Sequence, residues 1–416
     1  MERYASAVRD NVNEWIKDVK DVNVLVGIPC YNNEDTISHV VSTAAKGLRA
    51  YFHDNKSALF VSDGGSTDDT REKAYTATIP EGFHRRVSIY RGMPGKGTSF
   101  RAVFEVAKFL KADCCIVIDS DLRSITPEWI KLLAEPVLNK SAGFVAPSYI
   151  RHKHDGTITN NIVYPMTRAL YGLRMRQPIG GDFGFSGELA DLYTKENVWD
   201  TDVARYGIDI WMSTTAINEG FKIVQAQLRT KVHDAKDPVA HLGGMFREVV
   251  STLFYLMGKY ESKWRTIKGS TPVETIGEPK EVAKIEPVSV NLSKLEIEFL
   301  EGFYHFNPLY KQIIEPESYN QLFKNIRKLK KTGEVIFPTD LWAKILYDFA
   351  FTYQTWSRNR RKLVDILIPL YFGRTAAYCH EVSELDAEQS EKVVENQAKV
   401  FEDLKPYLIK KYEAWE

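Results

Sequence analysis

Residues 113–121 read Asp-Cys-Cys-Ile-Val-Ile-Asp-Ser-Asp. A short, partly β-branched apolar run stopped by a polar triplet has the composition of a strand buried on both faces, and is too short to be a buried helix. Upstream, residues 22–28 (VNVLVGI) form a similar run closed by Pro29. Residues 58–62 lead into DGGSTDDT (63–70), and a further run covers 87–90. Helical stretches at 35–52, 68–76 and 97–111 separate these runs. Strands alternating with helices of this length predict βαβ units, hence an α/β fold with a mostly parallel, Rossmann-like sheet. Further strands are expected at 142–147 and 221–232, and a loop-to-helix segment at 149–177. In such sheets ligands bind outside the carboxyl ends of the strands, which is where each polar cluster falls.

Beyond about residue 246 the pattern changes to period 3.6, with amphipathic runs at 246–262, 341–356, 361–382 and 387–415. A helical C-terminal domain over 246–416 is therefore expected behind a sheet domain over 1–245. A stretch rich in Pro, Thr, Glu and Lys near 267–288 reads as a linker, and residues 3–20 as a short amphipathic helix. Apolar pairs such as Ile345 with Phe349 and Ile366 with Leu370 read as packing core.

The 416 residues are 44% hydrophobic and 26% charged, the balance of a folded globular chain of two or three domains. Lys plus Arg and Asp plus Glu both number 55, so no global field draws the protein to nucleic acid or an anionic membrane. No apolar stretch reaches the length of a membrane span, and the acidic N-terminus is unlike a signal peptide. The four cysteines form no CxxC pair and are expected to be reduced, which points to the cytoplasm.

Asp119-Ser120-Asp121 places two carboxylates i, i+2 at a strand end. Both could face one oxygen-preferring cation, although a solvated turn has the same residues. The run ending at Pro29 continues into Cys30-Tyr31-Asn32-Asn33-Glu34, with a ring to stack on a base and amides to read it. Asp63 is the residue assigned to the base, with a capped turn as the plain alternative for 63–70. Lys96, between Gly95 and Gly97 at a helix start, suits phosphate. Four such clusters within one 100-residue span are read together as a nucleoside-diphosphate site.

In this order, V-x-I-P-x-Y-N-N-E, D-G-G-S-T-D-D-T, G-K-G and D-S-D resemble the GT-A nucleotide-sugar glycosyltransferases. Arg151-His152 with Asp155 and Thr159, then Gln177-Pro178-Ile179-Gly180-Gly181-Asp182, resemble more narrowly the retaining mannosylglycerate synthases and glucosyl-3-phosphoglycerate synthases. The resemblance implies donor contacts at Pro29, Tyr31, Asn33, Asp63, Lys96, Asp119, Ser120 and Gly181. It implies a divalent cation, Mn²⁺ or Mg²⁺, on Asp121, Asp119 and His233, the imidazole favouring manganese. Asp182 and Asp209 would position the sugar, with a helix N-terminal acid as the alternative for Asp209. Arg151 and Thr159 would hold the acceptor carboxylate. The segment 149–177 carries a local basic excess suited to a small anion, though Arg168, Arg174 and Arg176 read equally as a solvated helix face.

The expected donor is a GDP- or UDP-hexose. Where the phosphoglycerate enzymes have a Gly-rich stretch with an Arg, this chain has Thr157-Ile158-Thr159-Asn160-Asn161, which favours glycerate over 3-phosphoglycerate. The implied reaction is hexose transfer to the 2-hydroxyl of D-glycerate, making a compatible solute. An inverting transferase and a non-catalytic nucleotide-binding relative are the rival readings, and a homo-oligomer is expected by analogy.

Overall fold

The apolar runs become strands: β1 (Val24–Cys30), β2 (Ser57–Asp63), β3 (His84–Ile89), β4 (Cys114–Val117) and β5 (Phe144–Ile150). Three more come later in the chain: β6 (Phe183–Ser186), β7 (Ile223–Thr230) and β8 (Thr275–Ile276). The computed structural model describes residues 5–233, 238–278 and 285–415. Among them these eight strands form one sheet in the order β8-β7-β5-β6-β4-β1-β2-β3, parallel except for β6, which runs antiparallel to β4 and β5; Leu173–Arg174 and Thr271–Pro272 pair separately. The α/β expectation is met. All of β1, β2 and β4 are buried, because helices cover the sheet.

Helix Ile37–Tyr51 turns Val40, Val41, Ala44, Ala45 and Leu48 to the sheet, in one core with Ile28, Val61, Ile116 and Trp129. Helix Lys96–Phe109 starts tight against the 203–205 backbone: a Cβ on Gly97 would lie 1.8 Å from the Val203 carbonyl oxygen. Only glycine allows that approach, and it sets where Lys96 begins its helix.

Two compact units emerge: Met1–Ile150 with Arg176–Asp234 and Val273–Ile285, and Arg151–Met175 with Ala235–Pro272 and Glu286–Glu416. This grouping differs from the single boundary expected at 245. Residues 151–175 group with the helices, and β8 returns to the sheet by pairing Thr275 with Gln225. Part of the stretch expected as a linker is thus an edge strand, and its residues 279–284 lie outside the described residues.

The second unit holds the helices Pro238–Lys259, Leu292–Ile313, Pro316–Thr332, Thr339–Thr355, Arg360–Glu381 and Ala387–Trp415. The third and fourth expected runs lie within a residue of the helices observed at 360–381 and 387–415; the two helices between 292 and 332 were not anticipated. Ile345, Phe349, Ile366 and Leu370 are buried as packing residues. Arg374 is fully buried and satisfied by Gln397, the Phe337 carbonyl and a fork onto Glu381. Arg168 pairs with Glu395 and Glu402, so it serves the interior of this unit and is not a solvated face.

Candidate active site

The carboxyl ends of β1, β2, β4 and β7 supply the polar residues. Asp119 lies just past β4, and its backbone N–H donates to Asp182 Oδ1 at 2.8 Å. Asp182 is there because antiparallel β6 pairs Phe183 with Val117, which brings the Gly180-Gly181-Asp182 turn beside the end of β4. Lys96 Nζ lies 2.9 Å from Asp119 Oδ1 and 3.1 Å from Asp209 Oδ2. A second ammonium, Lys231 Nζ, lies 3.0 Å from Asp119 Oδ2, 2.9 Å from Asp182 Oδ2 and 2.9 Å from the Gly180 carbonyl oxygen.

No motif in the sequence singles out Lys231. β7 pairs with β5 in register up to Ser148↔Gln227, then shifts so that Tyr149 faces Arg229, which has φ +64°. An extra residue in one strand reverses the inside-outside alternation of the residues beyond it, and such bulges re-aim side chains near active sites. Period-two reading across 221–232 could not locate this switch.

Several expected residues are already engaged by partners within the protein. Asp182 is fully buried, with one oxygen on Asp119 N–H and the other taken by Lys231 and the Tyr149 hydroxyl. It positions Asp119, and both of its oxygens are already engaged. Asp63, also fully buried, accepts from Gly65 N–H, Ser66 N–H and the Ser66 hydroxyl. These bonds make Asp63 the residue that shapes the 63–70 loop. Lys96, expected to be available to phosphate, is ion-paired to two carboxylates.

Asn33 Oδ1 accepts from Tyr31 N–H at 2.9 Å and from the Ser120 hydroxyl at 2.8 Å, tying the β1 loop to the Asp119–Asp121 loop. Pro29 is buried within β1, opposite Ser62. Tyr31 is 60% exposed, its ring against Gly64, a free aromatic face at a strand end.

The electrostatics follow from burial. Burial works against the Lys96 ammonium, but Asp119 and Asp209 outweigh it and hold its pKa above the ordinary lysine value. Burial would raise Asp119, yet Lys96 and Lys231 hold it well below the usual carboxylate range. Asp121 is pushed up by burial and by Asp119, with Lys231 and His233 opposing. Asp209 is raised chiefly by burial, Lys96 pulling against it. Asp209 Oδ1 is buried with no hydrogen-bond partner among the described residues, while Oδ2 is on Lys96.

His233 therefore stands within electrostatic reach of Asp121, and the Arg123 guanidinium donates to its carbonyl. Among the described residues, no three of His, Cys, Asp and Glu converge closely enough to cage a metal ion. The donor chemistry nevertheless suits one divalent cation. Four carboxylates (Asp119, Asp121, Asp182, Asp209) face two ammoniums, leaving two formal negative charges, and Asp121 accepts no hydrogen bond among the described residues.

Arg151 and Thr159 belong to the second unit. Both flank Gly156, whose ideal Cβ would lie 3.6 Å from Arg151 Nη1 and 3.8 Å from Thr159 Oγ1. Arg151 pairs with Asp155 at 3.7 Å, and Thr159 is buried.

No helix among the described residues is long and apolar enough to cross a membrane, and the four cysteines are buried free thiols. No curated protein matches the chain. Among solved structures it is similar to glucosyl-3-phosphoglycerate synthase from Mycobacterium tuberculosis in complex with Mg²⁺ and UDP. That likeness has 24% identity and a TM-score of 0.46, covering 61% of this chain and 85% of that one. The same enzyme with Mn²⁺, UDP-glucose and phosphoglyceric acid is 23% identical, with a TM-score of 0.45 over 62% and 86% of the two chains. The family model of Glycosyl transferase family 2 matches residues 25–187, which span β1 to β6 and include Asp119, Asp121 and Asp182. Residues 25–187 thus form a Glycosyl transferase family 2 domain, and the enzyme class expected from the motifs, a glycosyltransferase, is the class of that domain.

Proposed function

We propose that this chain is a divalent-cation-dependent retaining hexosyltransferase that moves glucose or mannose from a GDP- or UDP-sugar to the 2-hydroxyl of D-glycerate in the cytoplasm. The observation that carries the reading is Asp119: one carboxylate at the end of β4, bonded on both oxygens by lysines and set beside Asp121, Asp182 and Asp209. A cation on Asp119 and Asp121, with His233 near, would neutralise charge developing on the departing diphosphate. Lys96, partly exposed, is placed to exchange a carboxylate for a phosphate oxygen. Tyr31 offers its exposed ring to the base. The unpartnered Asp209 Oδ1 suits a sugar hydroxyl, since a buried carboxylate oxygen without a donor is costly until one arrives.

The decisive experiment crosses four donors, UDP- and GDP-glucose and UDP- and GDP-mannose, with D-glycerate and 3-phosphoglycerate. The anomeric proton of the product is read by NMR. The expected product is an α-linked hexosylglycerate. Transfer to 3-phosphoglycerate alone would replace the acceptor, a β-linkage would replace retention, and tight nucleotide binding without turnover would favour a non-catalytic relative.

Arg151 supplies a separate check. A guanidinium that holds the acceptor carboxylate contributes a charge-assisted hydrogen bond, and its loss costs about 10- to 100-fold in affinity. Arg151→Ala is expected to raise the KM for D-glycerate by that factor and leave the donor KM within about twofold. An equal rise in both would take Arg151 away from the acceptor.

A further inference from the structure

The two lysines on Asp119 are not equivalent. Lys96 keeps 16% of its side chain exposed, whereas Lys231 keeps 3%. Lys231 Nζ has acceptors at Asp119 Oδ2, Asp182 Oδ2 and the Gly180 carbonyl, one for each of its N–H donors, and lies 5.0 Å from the centre of the Tyr149 ring. Nothing in that geometry asks the ammonium to leave.

We infer that Lys231 is a tethered counter-cation on the metal-facing carboxylate, so that the bare protein takes up a divalent ion weakly and the ion enters together with the nucleoside diphosphate. This rests on the assignment of a cation to Asp119 and Asp121. An ion approaching Asp119 meets two ammoniums already within 3.0 Å of its oxygens. No three-ligand cluster exists among the described residues to replace the ion's water. Small hard cations give up water reluctantly and are commonly held by one or two carboxylates plus substrate phosphates. The diphosphate brings the missing oxygens and the negative charge, and Lys96, the more exposed lysine, can turn to it from Asp119 Oδ1. Lys231 acts as a positioning residue: it holds Asp119 Oδ2 in place from Asp182 and the Gly180 carbonyl, and sets the order of binding.

The test is Mn²⁺ binding to the full chain, read by electron paramagnetic resonance of the free ion near neutral pH, with and without UDP or GDP. In the native protein the nucleotide is expected to tighten Mn²⁺ at least about tenfold. Lys231→Met, which removes the charge and its repulsion of the cation at similar length, is expected to tighten the bare ion by about tenfold. Mn²⁺ should then raise the Tm of that variant more than that of the native chain. Equal Mn²⁺ affinity with and without nucleotide, or unchanged bare-ion affinity in Lys231→Met, overturns this inference and leaves the cation reading standing. Absence of Mn²⁺ binding even with nucleotide overturns both. If Lys231→Met does not fold, Lys231→Gln, which also removes the charge, takes its place, and a bare-ion affinity equal to the native one overturns the inference. Lys231→Arg, which keeps the charge, is then expected to bind the bare ion as weakly as the native chain does.

Discussion

Asp121→Asn is expected to cut sugar transfer by at least about 10²-fold while leaving Tm unchanged or slightly raised. Asp121 is a half-buried carboxylate whose pKa is raised by desolvation and by Asp119. A carboxyl raised in the folded state destabilises the fold once ionised, so an uncharged isostere removes a cost of folding. What the amide cannot do is help hold a divalent cation against the leaving diphosphate. Activity and Tm therefore move independently, unlike the effect of a mutation that merely disturbs packing. Steady-state transfer at saturating Mn²⁺, paired with thermal unfolding in chelator, checks both. Turnover within a few-fold of native, or turnover that survives chelation, would remove Asp121 from the cation site.

Gly181→Ala is expected to lose both stability and activity. Gly181 has φ +91°, and its ideal Cβ would lie 2.1 Å from Asp119 Oδ2 and 2.8 Å from Asp119 Cγ. Asp119 has little room to yield, with its N–H on Asp182 and its oxygens on Lys96 and Lys231. Moving it strains the buried ion-pair network. Backbone strain alone costs on the order of 1–3 kcal/mol, and a displacement of about 1 Å at a catalytic group costs about 10²-fold in rate. Gly220→Ala is the control: it shares a positive φ, +82°, but has nothing within 4 Å of the added carbon. It should lower Tm without touching transfer. Equal activity losses in the two variants would mean that the clash with Asp119 is not what matters.

Much of the sheet was legible because its strands are short apolar runs separated by amphipathic helices. Period-two and period-3.6 patterns survive in a chain whose strands are buried on both faces. The motif ends were legible for the same reason: polar residues after a buried run must emerge at a sheet edge. Antiparallel β6 was missed, since Phe-Gly-Phe-Ser at 183–186 is too short to declare itself. With it went the reason that Asp182 sits under Asp119. The donors that converge on Asp63 from Cys30, Gly65 and Ser66 were not legible, because a loop-shaping carboxylate and a ligand-binding one have the same local sequence.

The amino-acid order by itself determined the alternation of strands and helices, the helical character of the second half and the gathering of carboxylates and lysine at strand ends, all consequences of local pattern. The tertiary structure alone decided which charges meet. Lys231 reaches Asp119 across 112 residues of chain, by way of a bulge in β7, and Asp182 reaches Asp119 across 63. Such pairings depend on strand register and on the desolvation of groups distant in sequence, and no local periodicity records either.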